Sequence, residues 1–351
     1  MKVDPKEFAI YNNQRPKILL LGNGFNRISG DNSWNDLLNS MRDDKFIFDA
    51  DEYQIPNGLK ASMLSNGKLQ GKIEEFISKE KEGNKLYKND DQVSNQLYYD
   101  FASLNFDYIL TTNYSYEIEL AINNKNELSE ERIKDMLNYH GDLAERRYAI
   151  RTFNTAVNEE FSRNIWHIHG EYCRPQSIIL GQLYYGNLLS KYKKSLDGIE
   201  NLEIEISNSQ ISKINNWIEA FIFGDVYIVG LGMDFAEVDL WWLLEEKFLN
   251  KNKGKTYFYN PKEKAFQYNK SNNDKNEYIE LNKYEISELE KIKNNNNYSK
   301  TINPAQCKKY LMDAYEVKYQ DLNYIPTIAD HSYLEFYKLV LKDIESKINK
   351  K

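Results

Sequence analysis

Two polar side chains, Asn113 and His169, each follow a short apolar run in this sequence and carry groups that could do chemistry. The neutral imidazole of a histidine accepts a proton from a sugar hydroxyl or from water near pH 7. A carboxamide has both a donor and an acceptor, so Asn113 could orient water or hold a sugar hydroxyl. Each residue taken alone also has an ordinary structural explanation. Asn113 would then cap the next helix, and His169 would be a packed histidine bonded to backbone.

Two further apolar runs end in turns that contain glycine. The turn residues are Gly22, Asn23 and Gly24 after one run, and Gly230 and Gly232 after the other. Without a side chain the backbone approaches a phosphate closely, and the following N–H groups can bind its oxygens. A single Gly-x-Gly is more often only a tight turn between a strand and a helix. Arg27 stands where the dinucleotide fingerprint has its third glycine, which argues against an ordinary dehydrogenase.

The other histidines and the nearby carboxylates are weaker candidates. His167 lies two residues before His169 and is predicted to face the opposite side of a sheet. His140 and His331 have no companion motif. No histidine has a second ligand at a suitable spacing, so a metal site is not expected. The acids that follow the second glycine turn are expected to cap the next helix and favour its N-terminus electrostatically, and they are Asp234, Glu237 and Asp239.

Short apolar runs alternate with helical patterns along the first 260 residues or so. This alternation predicts an α/β fold, a Rossmann-like doubly wound parallel sheet with helical insertions. The predicted strands span residues 17–22, 108–110, 165–168 and 225–230, with 256–260 as the last strand. Helices are predicted over 34–41, after a capping box at 33–36, and over 73–81, 96–104 and 238–248. The insertions are placed at about 42–94, 124–160 and 183–222, and the second is expected to be mostly helical.

The chain is predicted to form one main domain with additions. Residues 1–261 form the domain, the Asn- and Lys-rich tract 262–300 is a surface loop or linker, and 301–351 hold two helices. The last helix carries a stripe at heptad-like spacing, formed by Leu334, Tyr337, Leu341, Ile344 and Ile348. Such a stripe either packs on the domain or forms an oligomer interface.

Composition and charge exclude several classes of protein. The net charge is −7 with both signs intermixed, so direct binding of nucleic acid is not expected. The two cysteines, Cys173 and Cys307, cannot form a four-thiolate zinc site or a disulfide scaffold. The N-terminus lacks the apolar stretch of a signal peptide, and no apolar run reaches membrane-spanning length. The expected location is therefore the cytoplasm.

The order of these pieces resembles the sirtuin-like domain, which cleaves NAD at its nicotinamide–ribose bond. The resemblance covers roughly residues 17–260 and rests on a glycine turn, Thr111-Thr112-Asn113, His169-Gly170 and a second glycine turn. The segment 111–119 looks like the bacterial antiphage-defence branch, where a Thr-Thr-Asn-Tyr-Asp pattern leads to a later Glu, although Ser115 replaces that Asp. The segment 169–180 also fits that branch.

Two departures from the deacetylating members point to plain NAD hydrolysis. Those enzymes carry two pairs of cysteines for structural zinc, which this sequence lacks. They also have Asp-Phe-Arg after the first glycine turn, where this chain has Asn32-Ser33-Trp34. The resemblance therefore implies that 1–261 is a NAD-binding catalytic domain with His169 and Asn113 as the catalytic pair and no required metal. Residues implied to line the NAD+ substrate are Gly22, Asn23, Gly24, Gly230, Gly232 and, on the adenosine side, Asn260.

The same resemblance implies a role in abortive infection, in which depletion of NAD+ stops phage replication. An unregulated enzyme would kill its host, so we expect a homo-oligomer and a partner such as a HerA-type ATPase. Two other functions stay open from the sequence. One is a sensor or scaffold that binds NAD or ADP-ribose without turnover, and the other is transfer of ADP-ribose to protein. The sequence does not decide between NAD and NADP.

Overall fold

The structure, a computed structural model, describes the following parts of the chain: residues 8–10, 15–25, 38, 57–65, 67–82, 91–124, 127–139, 147–197, 199–200, 203, 205, 212–214, 216–261, 304–324 and 333–349. Several sequence predictions lie outside these residues. They are the capping box at 33–36, the helix at 34–41 apart from Leu38, both His140 and His331, and the tract 262–300. Leu38 itself is helical and buried.

The strands of the described residues form two sheets. The small sheet pairs β1 (Phe8–Ile10) with β7 (Ser212–Ile214) in antiparallel fashion. The large sheet has eight strands in the order β10-β9-β8-β2-β3-β6-β5-β4. Its strands are β2 (Lys17–Leu21), β3 (Tyr108–Thr111), β4 (Leu137–Tyr139), β5 (Thr152–Val157), β6 (Ser162–His167), β8 (Asp225–Val229), β9 (Thr256–Tyr259) and β10 (Val317–Gln320).

Six adjacent strands of the large sheet run parallel, namely β10, β9, β8, β2, β3 and β6. Numbered by their order along the chain, they lie in the order 6-5-4-1-2-3. This is the strand order of the doubly wound sheets that bind dinucleotides, in which the ligand crosses the carboxyl ends where the order reverses. Here that point lies between β2 and β8. The predicted α/β, Rossmann-like fold is confirmed.

Helices cover both faces of this sheet. In chain order they are α1 (Asn57–Leu64), α2 (Leu69–Glu82), α3 (Gln92–Ser103), α4 (Glu117–Ile122), α5 (Glu130–Met136), α6 (Gln182–Ser195), α7 (Trp217–Phe223), α8 (Val238–Leu249), α9 (Pro304–Ala314) and α10 (Leu334–Ile348). Among the helices described, none combines the length and apolar character that crossing a bilayer requires. The helices predicted at 73–81, 96–104 and 238–248 correspond to α2, α3 and α8.

The strand β2 shows why the sequences of the parallel strands are nearly continuous apolar runs. Ile18 and Leu20 pack into a core with α6, α7 and α8, whereas Leu19 and Leu21 pack into a second core with α3, α4 and α10. Successive side chains of a strand point to opposite faces. Because both faces are covered, the four positions that follow Lys17 in this strand are all apolar and buried. These local runs are the reason that the central strands could be predicted.

The expectation that 124–160 is mostly helical is wrong. Only α5 is helical there among the described residues, and the chain then forms β4 and β5, which extend the sheet beyond β6 in antiparallel fashion. The strand β5 buries polar residues, including Thr152 and Asn154, at 0% and 1% exposure. Its apolar signal is therefore weak, although β-branched threonine suits a strand. The insertion at 183–222 likewise contains the strand β7 as well as helices.

The sequence predicted β9 as the last strand, and this prediction is wrong. Residues 317–320 form β10, which pairs parallel to β9, so the segment 301–351 belongs in part to the sheet. The two predicted C-terminal helices are present as α9 and α10. The stripe of α10 packs into the core beneath β2 and β3, through residues that include Tyr337, Ile344 and Ile348. Packing on the domain is the interpretation that the structure supports for this stripe.

Candidate active site

The last residues of the six parallel strands are register partners of one another and form one row across the sheet. The row comprises Gln320, Tyr259, Val229, Leu21, Thr111 and His167. Gly22 and Gly230 come one residue after this row, and Asn113 and His169 come two residues after it. Since carboxyl ends of parallel strands meet at one edge, the structure brings the predicted site residues to the same edge of the sheet.

The two glycine turns pack against each other across the point where the strand order reverses. The Gly22 N–H donates to the Val229 carbonyl at 3.0 Å, and the Gly24 N–H donates to the Gly230 carbonyl at 2.6 Å. A Cβ at Gly22 would lie 2.6 Å from both the Gly230 oxygen and the Leu231 Cα. Close approach of the two turns therefore requires glycine at this position. Any contact of these turns with phosphate would come in addition to this structural role.

The remaining two residues of the glycine turns are more open. Asn23 is half-buried, and Gly232 is exposed with no heavy atom within 4 Å of the position of an added Cβ. The carbonyl of Gly232 accepts a hydrogen bond of 2.8 Å from the Lys308 ammonium group of α9. The second turn is thus tied to the C-terminal segment, which the sequence had treated as an addition to the domain.

Asn113 is buried but does not cap the next helix. The helix α4 has Tyr116 at its N-cap position, and the Tyr116 side chain makes no capping hydrogen bond. The Asn113 amide nitrogen donates to the Tyr98 hydroxyl at 3.4 Å. Its Oδ1 atom is buried and has no hydrogen-bond partner among the described residues. The capping explanation is therefore wrong, and the amide oxygen is available as an acceptor.

His169 is completely buried, and its ring is held by a carboxylate instead of by backbone. Its Nε2 atom lies 2.9 Å from Asp239 Oδ2, in the first turn of α8. Its Nδ1 atom has no partner among the described residues. Burial opposes the imidazolium charge, but the carboxylate of Asp239 outweighs burial, and the pKa of His169 is raised from its ordinary value. The explanation that backbone alone satisfies this histidine is wrong.

The backbone conformation and the crowding at position 170 explain why a glycine follows His169. Gly170 has φ of +96°, and a Cβ there would lie 2.4 Å from the Ser177 carbonyl oxygen. No other residue fits this left-handed and crowded position without strain. The chain thereby turns sharply after the strand, and the His169 carbonyl accepts from the Ile179 N–H at 2.7 Å. The turn fixes the backbone of His169 at the edge of the sheet.

Glu237 brings a second carboxylate close to His169. Its Oε2 atom is buried and lacks a partner among the described residues, and it occupies the N-cap position of α8 without capping it. Burial is the main cause that raises the pKa of Glu237 to about 7, with Asp239 adding to the effect and His169 opposing it. Glu237 and Asp239 do not cap α8, so that part of the expectation is wrong, but Asp239 lies in the first turn of the helix, where its charge favours the N-terminus as expected. Only Asp234 bonds a nearby N–H, that of Ala236 at 3.2 Å.

His169, Glu237 and Asp239 offer ligand atoms within 4.8 Å of one another. This spacing could admit a divalent cation, and sequence spacing alone did not reveal it because the histidine and the two acids come from different elements. The hydrogen bond between His169 and Asp239 accounts for their contact without an ion. We therefore do not assign the cluster as a metal site, and the absence of a required metal stays a prediction.

His167 and His169 face opposite sides of the sheet, as predicted, but for a different reason than their spacing. Two residues that lie two apart on one strand share a face. The strand β6 ends at His167 and His169 lies in the turn that follows, so the alternation does not extend to it.

The Nε2 atom of His167 lies 2.9 Å from Glu119 Oε1 of α4, and its Nδ1 atom lies 2.8 Å from the backbone carbonyl of Asn113. Burial opposes its charge, but Glu119 and then Glu171 outweigh burial and raise the pKa of His167 to about 9. The imidazole is therefore a cation at neutral pH, and both of its N–H groups donate.

A buried polar network extends from this histidine. The Asn154 amide nitrogen donates to Glu119 Oε1 at 3.1 Å and to Glu171 Oε2 at 2.9 Å. The Arg174 guanidinium donates to Glu171 Oε1 at 2.5 Å. Burial favours a neutral Glu171, but the charges of Arg174 and His167 outweigh it and lower the pKa of Glu171. The segments 111–119 and 169–180 of the sequence analysis contain Glu119, Glu171 and Arg174, but these contacts were not predicted.

Asn260 lies at the same edge but farther along the sheet. It follows β9, which is separated from β6 by β8, β2 and β3. Its amide nitrogen donates to the Tyr319 hydroxyl of β10 at 3.1 Å. The structure therefore places Asn260 in line with the other predicted residues but not beside Asn113 or His169.

Comparison of the chain with protein-family models and with curated proteins found no match in either set. The resemblance to the sirtuin-like family thus stays a prediction, and the geometry of the site carries the functional argument.

Proposed function

We propose that the protein is a NAD+ hydrolase that cleaves NAD+ to nicotinamide and ADP-ribose. One observation carries the proposal. Asn113 and His169 follow the adjacent strands β3 and β6, which are the first and second strands beyond β2 at the reversal point of a dinucleotide-type sheet, and each has a buried polar atom without a partner among the described residues. Such atoms are costly to bury unless something bonds them, so a ligand or water is expected to do so.

The reaction needs one acceptor for a proton and one group that orients the nucleophile. Water attacks C1′ of the nicotinamide ribose while the bond from C1′ to the pyridinium nitrogen breaks. The electron pair of that bond leaves with nicotinamide, which becomes neutral. His169 Nδ1 takes the proton that the water loses and later releases it to solvent. Asn113 Oδ1 accepts a hydrogen bond from the water or from a ribose hydroxyl.

The strand order supports placement of the dinucleotide along the sheet edge. In this proposal the turns at Gly22, Asn23 and Gly24 and at Gly230 and Gly232 line the pyrophosphate and ribose. Strands lie about 4.8 Å apart, so β9 is roughly 10 Å from β2 along this edge. Asn260 then faces the adenosine side. The substrate already carries a cationic leaving group, so the proposed reaction requires no metal.

The test is turnover of NAD+ by the purified protein, followed by chromatography of nicotinamide and ADP-ribose. The wild type is expected to release both products in equal amounts, and His169→Ala and Asn113→Ala are expected to be inactive. Asp234→Asn is the matched control, because Asp234 is an exposed acid of the same loop as Glu237. Tight NAD+ binding with no product would contradict hydrolysis and indicate a sensor. Labelled protein in place of free ADP-ribose would indicate a transferase.

The proposal extends to antiphage defence through abortive infection, and this part is supported by the sequence resemblance alone. Depletion of NAD+ during infection would require control by assembly, through a homo-oligomer and a partner such as a HerA-type ATPase. Phage plaque counts with the wild type and His169→Ala test the role. Light scattering of the purified protein, with and without an ATPase encoded beside it, tests the assembly.

A further inference from the structure

The contact between His169 and Asp239 has the geometry of a fixed imidazole–carboxylate pair. The two side chains are 0% exposed, and Nε2 lies 2.9 Å from Oδ2. We propose that Asp239 is a positioning residue that holds His169 in the Nε2–H tautomer and leaves Nδ1 as the proton-accepting atom. The structural part of this inference stands by itself, and its kinetic part rests on the proposed NAD+ hydrolysis.

The direction of the hydrogen bond follows from the second partner of Asp239. The Tyr192 hydroxyl donates to the same Oδ2 atom at 3.3 Å. Burial raises the pKa of Tyr192 well above its ordinary value, so this hydroxyl keeps its proton and donates. Because Oδ2 already accepts from Tyr192 and a carboxylate has no proton to donate, we assign the proton of the bond between Oδ2 and Nε2 to His169. In the neutral imidazole Nδ1 is then unprotonated.

The pair is also held rigidly. Asp239 lies in the first turn of α8, whose Leu240 and Leu243 pack into the core. A carboxylate in this position is favoured by the helix dipole. The His169 ring meets the edge of Tyr185 at a centroid distance of 5.6 Å and an angle of 84°. These contacts fix the ring plane, so Nδ1 has one orientation.

Glu237 offers a competing arrangement. One of its carboxylate oxygens lies within 4.8 Å of the ligand atoms of His169 and Asp239, a spacing at which the three groups could share a cation. The hydrogen bond to Asp239 is present, whereas Glu237 Oε2 has no partner among the described residues. The geometry therefore favours Asp239 as the residue that sets the tautomer. The experiments must separate these two carboxylates.

The first test compares Asp239→Asn with Glu237→Gln and with the control Asp234→Asn. Asparagine keeps the shape of the side chain but can present an amide donor to Nε2, which favours the other tautomer. We expect kcat of Asp239→Asn to fall by roughly 10²- to 10⁴-fold, the usual contribution of a positioned base, with little change in KM. Tyr192→Phe is expected to lower kcat by about fivefold, because it removes one hydrogen bond to Asp239.

Unchanged kcat in Asp239→Asn, or a larger loss in Glu237→Gln, would overturn the assignment. An effect on KM alone would overturn it as well, because a positioned base acts on the chemical step.

The second test measures the tautomer directly by nitrogen NMR of protein with labelled histidine. The chain has four histidines, and comparison with His169→Gln identifies the signals of His169. We expect the neutral His169 ring to carry its proton on Nε2 in the wild type and to lose this preference in Asp239→Asn. A proton on Nδ1, or the signature of a metal-bound ring, would overturn the proposal.

This NMR measurement needs neither turnover nor a folded Asp239 variant, because the wild type alone decides the tautomer. If the wild type does not hydrolyse NAD+, the proposed function fails. The measured tautomer still confirms or refutes the proposal that Asp239 holds His169 with its proton on Nε2.

Discussion

His167 Nε2 lies 2.9 Å from Glu119 Oε1, and both side chains are buried. The other ring nitrogen of His167 reaches the backbone carbonyl of Asn113 at 2.8 Å. The ion pair therefore connects α4, β6 and the turn that carries Asn113. A buried pair of this kind contributes little net stability when it is whole, but loss of one partner leaves an uncompensated charge. The position of Asn113 is thus coupled to the charge of His167.

The first prediction concerns the pH dependence of stability. The pKa of His167 rises from 6.5 to about 9 on folding, which corresponds to about 3 kcal/mol. A raised pKa of a base gives stability that is fully present below pH 6.5 and is lost as pH rises through 9. We expect the free energy of unfolding of the wild type to fall across this window and that of His167→Gln to fall less. Urea titrations between pH 7 and 9.5 check this.

Above pH 7, the carboxylates near His167 and His169 contribute little to the pH dependence of stability. The raised pKa of Glu237, about 7, affects stability mainly between pH 4.5 and 7, and the lowered pKa of Glu171 acts at still lower pH. Glu117, Glu119 and Tyr116 also face His167, and they are unchanged in His167→Gln. Parallel curves for the two proteins above pH 7 would show that His167 is not charged in the folded state.

The second prediction is that His167 and Glu119 act as a unit. Glu119→Gln leaves a buried imidazolium without its main partner, so we expect it to lose roughly 3–5 kcal/mol of stability at pH 7. The double variant His167→Gln/Glu119→Gln should lose less than the sum of the single variants, by about 1–3 kcal/mol. Urea denaturation of all four proteins measures this coupling. Additive losses would contradict the pairing.

The central fold and part of the site could be predicted because their signals are local. The runs that form β2, β3 and β8 are apolar at nearly every position, and the residues that end them follow directly in the sequence. The strands β4, β5 and β10 were missed for the opposite reason. They lie toward the edges of the sheet, and β5 buries Asn154, whose polarity is compensated only by partners from other elements.

The partners of the two histidines could not be predicted from the sequence. Asp239 is 70 residues from His169, and Glu119 is 48 residues from His167. Asp239 looks like an ordinary acid in the first turn of a helix, where acids are common. Its position beside His169 depends on how α8 packs against the end of β6, which is a property of the fold. A carboxylate after a glycine turn is thus an ambiguous signal until the sheet order is known.

The third prediction separates two glycines that looked equivalent in the sequence. Gly22→Ala places a Cβ 2.6 Å from backbone atoms of Gly230 and Leu231, so the two turns must move apart. We expect a loss of about 1–3 kcal/mol, as for overpacked cores, together with weaker NAD+ binding. Gly232→Ala is the matched control, because an added Cβ there meets nothing within 4 Å. It should change stability by no more than about 0.5 kcal/mol.

Thermal or urea unfolding of the two alanine variants gives the comparison directly. Each variant removes the same chain freedom from the unfolded state, so the difference between them reports the folded structure. Equal stability of Gly22→Ala and Gly232→Ala would mean that the two turns do not pack as closely as described.

The last prediction separates Asn113 from Asn260. Among the described residues the Asn113 side chain has one long hydrogen bond, to Tyr98 at 3.4 Å, and its buried oxygen has no partner, so Asn113→Ala should lose only about 1 kcal/mol of stability. Its kcat for NAD+ hydrolysis should nevertheless fall by roughly 10²-fold or more, because water or ribose is no longer oriented. Asn260→Ala loses its bond to Tyr319 but follows β9, which is three strands from β3, so under the proposed reaction it should raise KM and leave kcat nearly unchanged. Steady-state kinetics beside urea denaturation distinguish the two. If both variants changed only KM, Asn113 would be a binding residue and the attacking water would have to be oriented by another group.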